Sequence, residues 1–146
     1  MLHFLRTFLW CAEQAGNFLL ARTPPFWIIT VALGVATIIT AFWQHAFSAK
    51  AWKKTYWIAI LQFLCAPATL AVAVLGWVPL PNGPAPNRIG LDVMNGLTFA
   101  SLGLGAYWVL RMKSFRWFAV SLALLQLWVL YSVGLIAAFA LTGTWP

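Results

Sequence analysis

Few side chains in this 146-residue chain could carry out chemistry, and their spacing limits what they can do. There are two histidines, His3 and His45, two cysteines, Cys11 and Cys65, and two carboxylates, Glu13 and Asp92. A haem or chlorophyll needs an axial ligand, and ligation by two histidines needs both rings facing one another at one depth. His3 lies near the N-terminus and His45 near the end of the first long apolar run, so one chain cannot pair them. His45 is the candidate cofactor-binding residue, alone or with its copy across a symmetry axis; the plainer reading is a helix-end histidine facing headgroups. Two isolated cysteines frame neither a metal site nor a disulfide scaffold. Cys65 reads as a small apolar packer.

Catalysis has little to build on. No charged residue lies in the interior of the long apolar runs, and charge inside a membrane is the usual mark of proton relays, coupling sites and intramembrane catalysis. No serine sits in a glycine-flanked nucleophile turn, the carboxylates are not paired, and no glycine loop is suited to cradling phosphate. The expectation is a protein that is not an enzyme, with no metal ligands and no cofactor required. A catalytic role would have to rest on Cys65, His45 or Tyr131.

Gln62, Gln126 and Tyr131 are the marked polar residues inside the apolar runs. A buried amide must find a partner. An interhelical hydrogen bond worth under about 2 kcal/mol is the expected one, with a solute or quinone contact as the alternative. Asn95 and Asp92 lie one turn apart, where helix capping accounts for them better than cation binding.

The elements that would position these residues are set by composition. The chain is 63% hydrophobic and 8% charged, against roughly half and about a quarter for soluble domains. Nine basic and two acidic side chains could not cover a soluble surface of this size, so lipid is the expected solvent. The net charge of +7 lies in loops between apolar runs rather than on one face of a polar surface, which argues for membrane topology and against nucleic acid.

Four uncharged or nearly uncharged stretches, about residues 26–48, 56–78, 91–110 and 118–141, are each long enough to cross about 30 Å of hydrocarbon. Aromatic residues such as Trp27, Phe42 and Trp43 at their ends read as interfacial anchors. Pro67 falls within the second span and frees the carbonyl of Phe63, which favours a bend there. Residues 1–22 carry polar side chains at helical spacing opposite a wide oily face. With Arg6, Glu13 and Gln14 they suit an amphipathic helix lying in the interface. A signal peptide or a lipid-modified Cys11 are weaker readings of the same stretch.

The expected fold is therefore an all-α integral membrane protein: an interfacial helix over 1–22, then a transmembrane domain over 23–146 built as two antiparallel hairpins. Stripes of small residues set the expected helix packing. Gly34, Thr37 and Ala41 of the first span should meet Ala66, Thr69 and Ala73 of the second, a pore lining being the lesser alternative. The third span offers Gly96 and Gly103 on one face and Ser101 and Gly105 on another.

Basic residues set orientation. Lys50, Lys53, Lys54, Arg111, Lys113 and Arg116 outweigh Arg6, Arg22 and Arg88, so the two short basic loops belong in the cytoplasm. Both termini and the loop 79–90 then lie outside, in a bacterial inner membrane. That loop, with Pro81, Pro84, Pro86 and Arg88, is the expected partner-binding arm. Missing chemistry and abundant aromatics together suggest an accessory or scaffolding subunit of a larger membrane complex, with lipid and other membrane subunits or its own copies as partners. The alternatives are a small oligomeric channel or transporter for a weakly polar solute, and a pigment, haem or quinone holder.

Overall fold

The computed structural model describes residues 2–19, 26–45, 50–76 and 87–142. They form five α-helices: α1 (Leu2–Leu19), α2 (Phe26–Trp43), α3 (Lys50–Leu75), α4 (Arg88–Arg111) and α5 (Arg116–Thr142), with a single 3₁₀ turn at Lys113–Phe115 before α5. Among the described residues there is no strand. Four helical stretches, Phe26–Trp43, Tyr56–Leu75, Arg88–Arg111 and Lys113–Thr142, are long and apolar enough to span a membrane.

Local chemistry explains where these helices differ from the expected spans. α2 ends at Trp43 rather than near residue 48 because His45 adopts φ 47°, the left-handed conformation that terminates a helix. α3 begins at Lys50, so the basic segment expected as a connecting turn is instead the first turn of that helix. α3 continues through Pro67 as one element. α4 begins at Arg88 because the Asn87 side chain accepts a hydrogen bond from the Gly90 N–H at 3.0 Å, capping the helix three residues before the expected start.

Contacts at the helix ends fix the directions. Gln44, just past α2, meets Phe118 in the first turn of α5. At the other end Gly76, just past α3, Asn87, just before α4, and Leu141, near the end of α5, meet one another. α3 and α5 thus run one way, and α2 and α4 run the other.

The packing partners differ from the expected ones. α5 is the centre: α3 and α4 pack on it and on each other, and α2 attaches through α5. α2 and α3 are not in extensive contact, so the expected stripe-on-stripe contact between them does not form. Ala66 instead packs with Cys11, Leu130 and Val133, and Ala73 packs with Ala137 and Ala140. Thr69 is buried on the same side of α3 and donates its hydroxyl to the Cys65 carbonyl. Ala41 joins a cluster dominated by Trp108 and Met112 of α4 and Phe118 and Ala119 of α5.

At Gly34, Gly96 and Gly103 a Cβ would meet nothing within 4 Å among the described residues. A glycine favours close packing only where a neighbouring backbone or side chain comes to meet it, and α4 turns its Gly90, Ser101, Gly105 and Trp108 face inward instead.

α1 does not stand apart from the spans. Its Cys11 and Ala15 are buried against Cys65, Ala66 and Leu70 of α3 and Leu130, Val133 and Ile136 of α5. Small side chains at these two positions let α1 approach two helices at once, while Leu5, Leu9 and Trp10 face outward.

Candidate functional site

The polar residues inside the apolar helices fall into two groups, and the first consists of links that tie other helices to α5. Trp128 Nε1 donates to Thr30 Oγ1 at 2.9 Å, and Thr30 Oγ1 in turn lies 2.9 Å from the Leu19 carbonyl and 3.0 Å from that of Phe26. One hydroxyl thereby joins α1, α2 and α5. Phe26 stacks on Trp128, which stacks on Tyr131, at centroid distances of 5.9 and 5.7 Å. Lower down, the hydroxyls of Thr40 and Ser121 lie 2.9 Å apart. At the start of α5 the Phe118 N–H donates to Gln44 Oε1 at 3.0 Å, so the residue just past α2 caps α5.

The second group is a buried polar layer between α3, α4 and α5. Gln126 Nε2 donates to the Ala59 carbonyl at 3.0 Å, the interhelical bond expected of a buried amide. Gln62 is 2% exposed, and neither its Nε2 nor its Oε1 has a hydrogen-bond partner among the described residues. Its amide lies against Gly105: a Cβ built there would sit 2.9 Å from Gln62 Nε2. Ser101, one turn before Gly105 on the same face, is fully buried with its Oγ unpartnered, and Gln126 Oε1 is unpartnered too.

Depth relates these three residues. Gln62 follows Lys53, Ser101 precedes Arg111 and Gln126 follows Arg116 by nine or ten residues each, about 14–15 Å of helix. They therefore lie at one level of the helix bundle, well inside its apolar stretches and away from its basic end. Unsatisfied polar atoms at such depth are costly and call for an explanation, either a ligand, a water or a rearranged partner.

The remaining candidates are dispersed. His45 is exposed at the left-handed position that ends α2, so its place in the chain has a backbone reason. No group of three or more His, Cys, Asp or Glu residues able to hold a metal ion occurs among the described residues. Tyr131 is half-exposed on the outward side of α5. Arg88 is exposed as the first residue of α4, while Pro81, Pro84 and Pro86 of the proposed partner-binding loop lie outside the described residues.

Sequence reasoning missed two features. The loop expected over 79–90 takes in Asn87, yet its side chain caps α4, its Nδ2 donates to the Gly76 carbonyl at 3.3 Å and its N–H donates to the Leu141 carbonyl at 3.0 Å. An Asn just before an apolar helix is a signal that could have found the cap. The second is a cavity at the basic end lined by Lys113 and Arg116. Nothing in the spacing of those two residues marks it, because it exists only where α2, α4 and α5 come together. Compared with known proteins, the chain matches no family model, no curated protein and no solved structure.

Proposed function

We propose that this chain is an integral membrane protein and a non-catalytic accessory or scaffolding subunit of a larger membrane complex. The observation that carries the reading is where its membrane-depth polar groups are spent. Thr30, Thr40, Gln44, Ser121, Gln126 and Trp128 are engaged in helix-to-helix bonds. The outward faces are apolar and aromatic, with Trp27, Phe42, Trp43, Trp57, Phe63, Phe99 and Trp117 among the exposed residues. Side chains of this kind are suited to lipid and to neighbouring apolar helices. The charge count supports a bacterial inner membrane orientation with Lys53, Arg111, Lys113 and Arg116 on the cytoplasmic side. Extraction in a mild detergent followed by native mass measurement tests the reading: a discrete heteromeric assembly is expected, and a lone monomer under the mildest conditions would overturn it.

A second reading has an observation of its own. Gln62, with both amide atoms unpartnered beside Gly105 and near Ser101, is the arrangement a small polar solute would use at mid-membrane. Under that reading Gln62→Leu abolishes solute flux into liposomes containing the purified protein. Under the scaffolding reading no flux above empty liposomes is measured, and Gln62→Leu leaves assembly intact or strengthens it, since an unsatisfied amide is removed.

A further inference from the structure

A cavity of about 600 Å³ opens where the end of α2, the end of α4 and the start of α5 converge. Lys113, Arg116 and Trp117 line it with Gln44, Val109 and Val120. That volume lies within the range of small-molecule and headgroup sites. Its lining is of two kinds: Lys113, Arg116 and Trp117 are exposed, whereas Val109 and Val120 are half-buried. From there an outward stripe of α5 leads away from the charges, with Leu124 and Tyr131 at seven-residue spacing after Trp117 and all three exposed. Gln44, just past α2, and Val109 of α4 border the cavity, and α2 and α4 are not in extensive contact with each other.

Among the described residues no carboxylate stands beside these cations. The chain contains only two acidic side chains, Glu13 and Asp92. Asp92 is on α4, about 30 Å of helix from Lys113. Glu13 is on α1, whose buried residues pack against residues 130–136 of α5, about 20 Å or more of helix beyond Arg116. Neither of the two acidic side chains therefore reaches Lys113 and Arg116, which leaves both cations open to an external anion.

We propose that this cavity binds an anionic phospholipid, a proposal that rests on the membrane reading above. The phosphate lies between Lys113 and Arg116, where a guanidinium offers two parallel donors and an ammonium adds a point charge. The glycerol region lies at Gln44 and Trp117, at the level where an indole is at home in a bilayer. One acyl chain follows Val120, Leu124 and Tyr131 along α5. An acidic protein segment would satisfy the charges, but the continuous apolar stripe below them fits an acyl chain.

Native mass spectrometry of the full chain in a neutral detergent tests this, with palmitoyl-oleoyl phosphatidylglycerol and the phosphatidylcholine of the same chains as probes. The phosphatidylglycerol is expected to bind in preference, and Lys113→Gln and Arg116→Gln should each weaken it about fivefold. Lys53→Gln and Arg88→Gln, elsewhere on the helix ends, should leave it unchanged. Val120→Phe, which narrows the cavity below the charges, should lower occupancy by both lipids while the helical content stays the same. Equal binding of the two lipids, or equal losses from all four charge variants, would overturn the site. So would displacement by millimolar inorganic phosphate, which would make it an anion site without a lipid chain. A change in subunit number in place of lipid occupancy would assign the cavity to a protein neighbour. Solubility of the chain without detergent would overturn the membrane reading itself, a result separable from all of these.

Discussion

At the scale of single residues, Asn87 does the most for its size. It supplies an acceptor to Gly90, a donor to Gly76 and a backbone N–H to Leu141, joining the ends of three helices. Asn87→Ala should lower stability by about 1–2 kcal/mol, the cost of a lost cap. Asn87→Asp should lie between, since it keeps the acceptor and loses the donor. Thermal unfolding in detergent measures both, and an alanine variant as stable as the parent would contradict the role. Cys11 offers a second test. Burial pushes its thiol above the usual cysteine range, and only the thiolate reacts. In a Cys65→Ala background, maleimide labelling of Cys11 at pH 8 should be slow, should quicken as pH rises further, and should become rapid once the protein is unfolded. Rapid labelling of the folded protein at pH 8 would mean that α1 is not held against α3 and α5.

At the scale of elements, the contrast between Gly105 and Gly103 shows how neighbours decide what a residue does. A methyl group at Gly105 would press on the Gln62 amide, whereas one at Gly103 meets open space. Replacing a helical glycine by alanine otherwise gains about 0.5–1 kcal/mol. Gly103→Ala should therefore be neutral to stabilising, and Gly105→Ala destabilising. Combining Gly105→Ala with Gln62→Ala should recover most of the loss, a coupling that a double-mutant cycle measures. The same contrast marks what sequence could and could not reveal. The spans were legible because a run of about twenty uncharged residues has few alternatives, and the charged or capped ends moved by only a few positions. The partners were not legible, because these helices are apolar on every side and a stripe of small residues does not say which neighbour will meet it. Gly34, Gly96 and Gly103 resemble Gly90 and Gly105 in sequence and differ only in what stands opposite. For the polar layer, Gln62 and Gln126 could be picked out by type, but their association with Ser101 and Gly105 needed the three-helix contact.

At the scale of the whole molecule, charge is sorted to one end. Lys53, Arg111, Lys113 and Arg116 lie at the end where α3 and α5 begin, while Arg88 lies with Asn87 and Leu141 at the other. Single cysteines at Arg88 and Lys113, in a background lacking Cys11 and Cys65, should react with a membrane-impermeant reagent from opposite sides, the first from outside the cell. Labelling of both from one side would refute four crossings in this arrangement. The attachment of α2 to α5 also carries a meaning for how the protein is made. Some seventy residues separate the two helices, about 4–15 s of translation. During that interval the nascent α2 has no α5 to bind. Its threonines carry their own provision for the wait: Thr30, Thr37 and Thr40 each place a hydroxyl within hydrogen-bonding distance of a carbonyl one turn back, on Phe26, Leu33 and Ala36. The new α2 thus has its hydroxyl protons satisfied by its own backbone, keeping the oxygen lone pairs of Thr30 and Thr40 for the indole of Trp128 and the hydroxyl of Ser121, which arrive last.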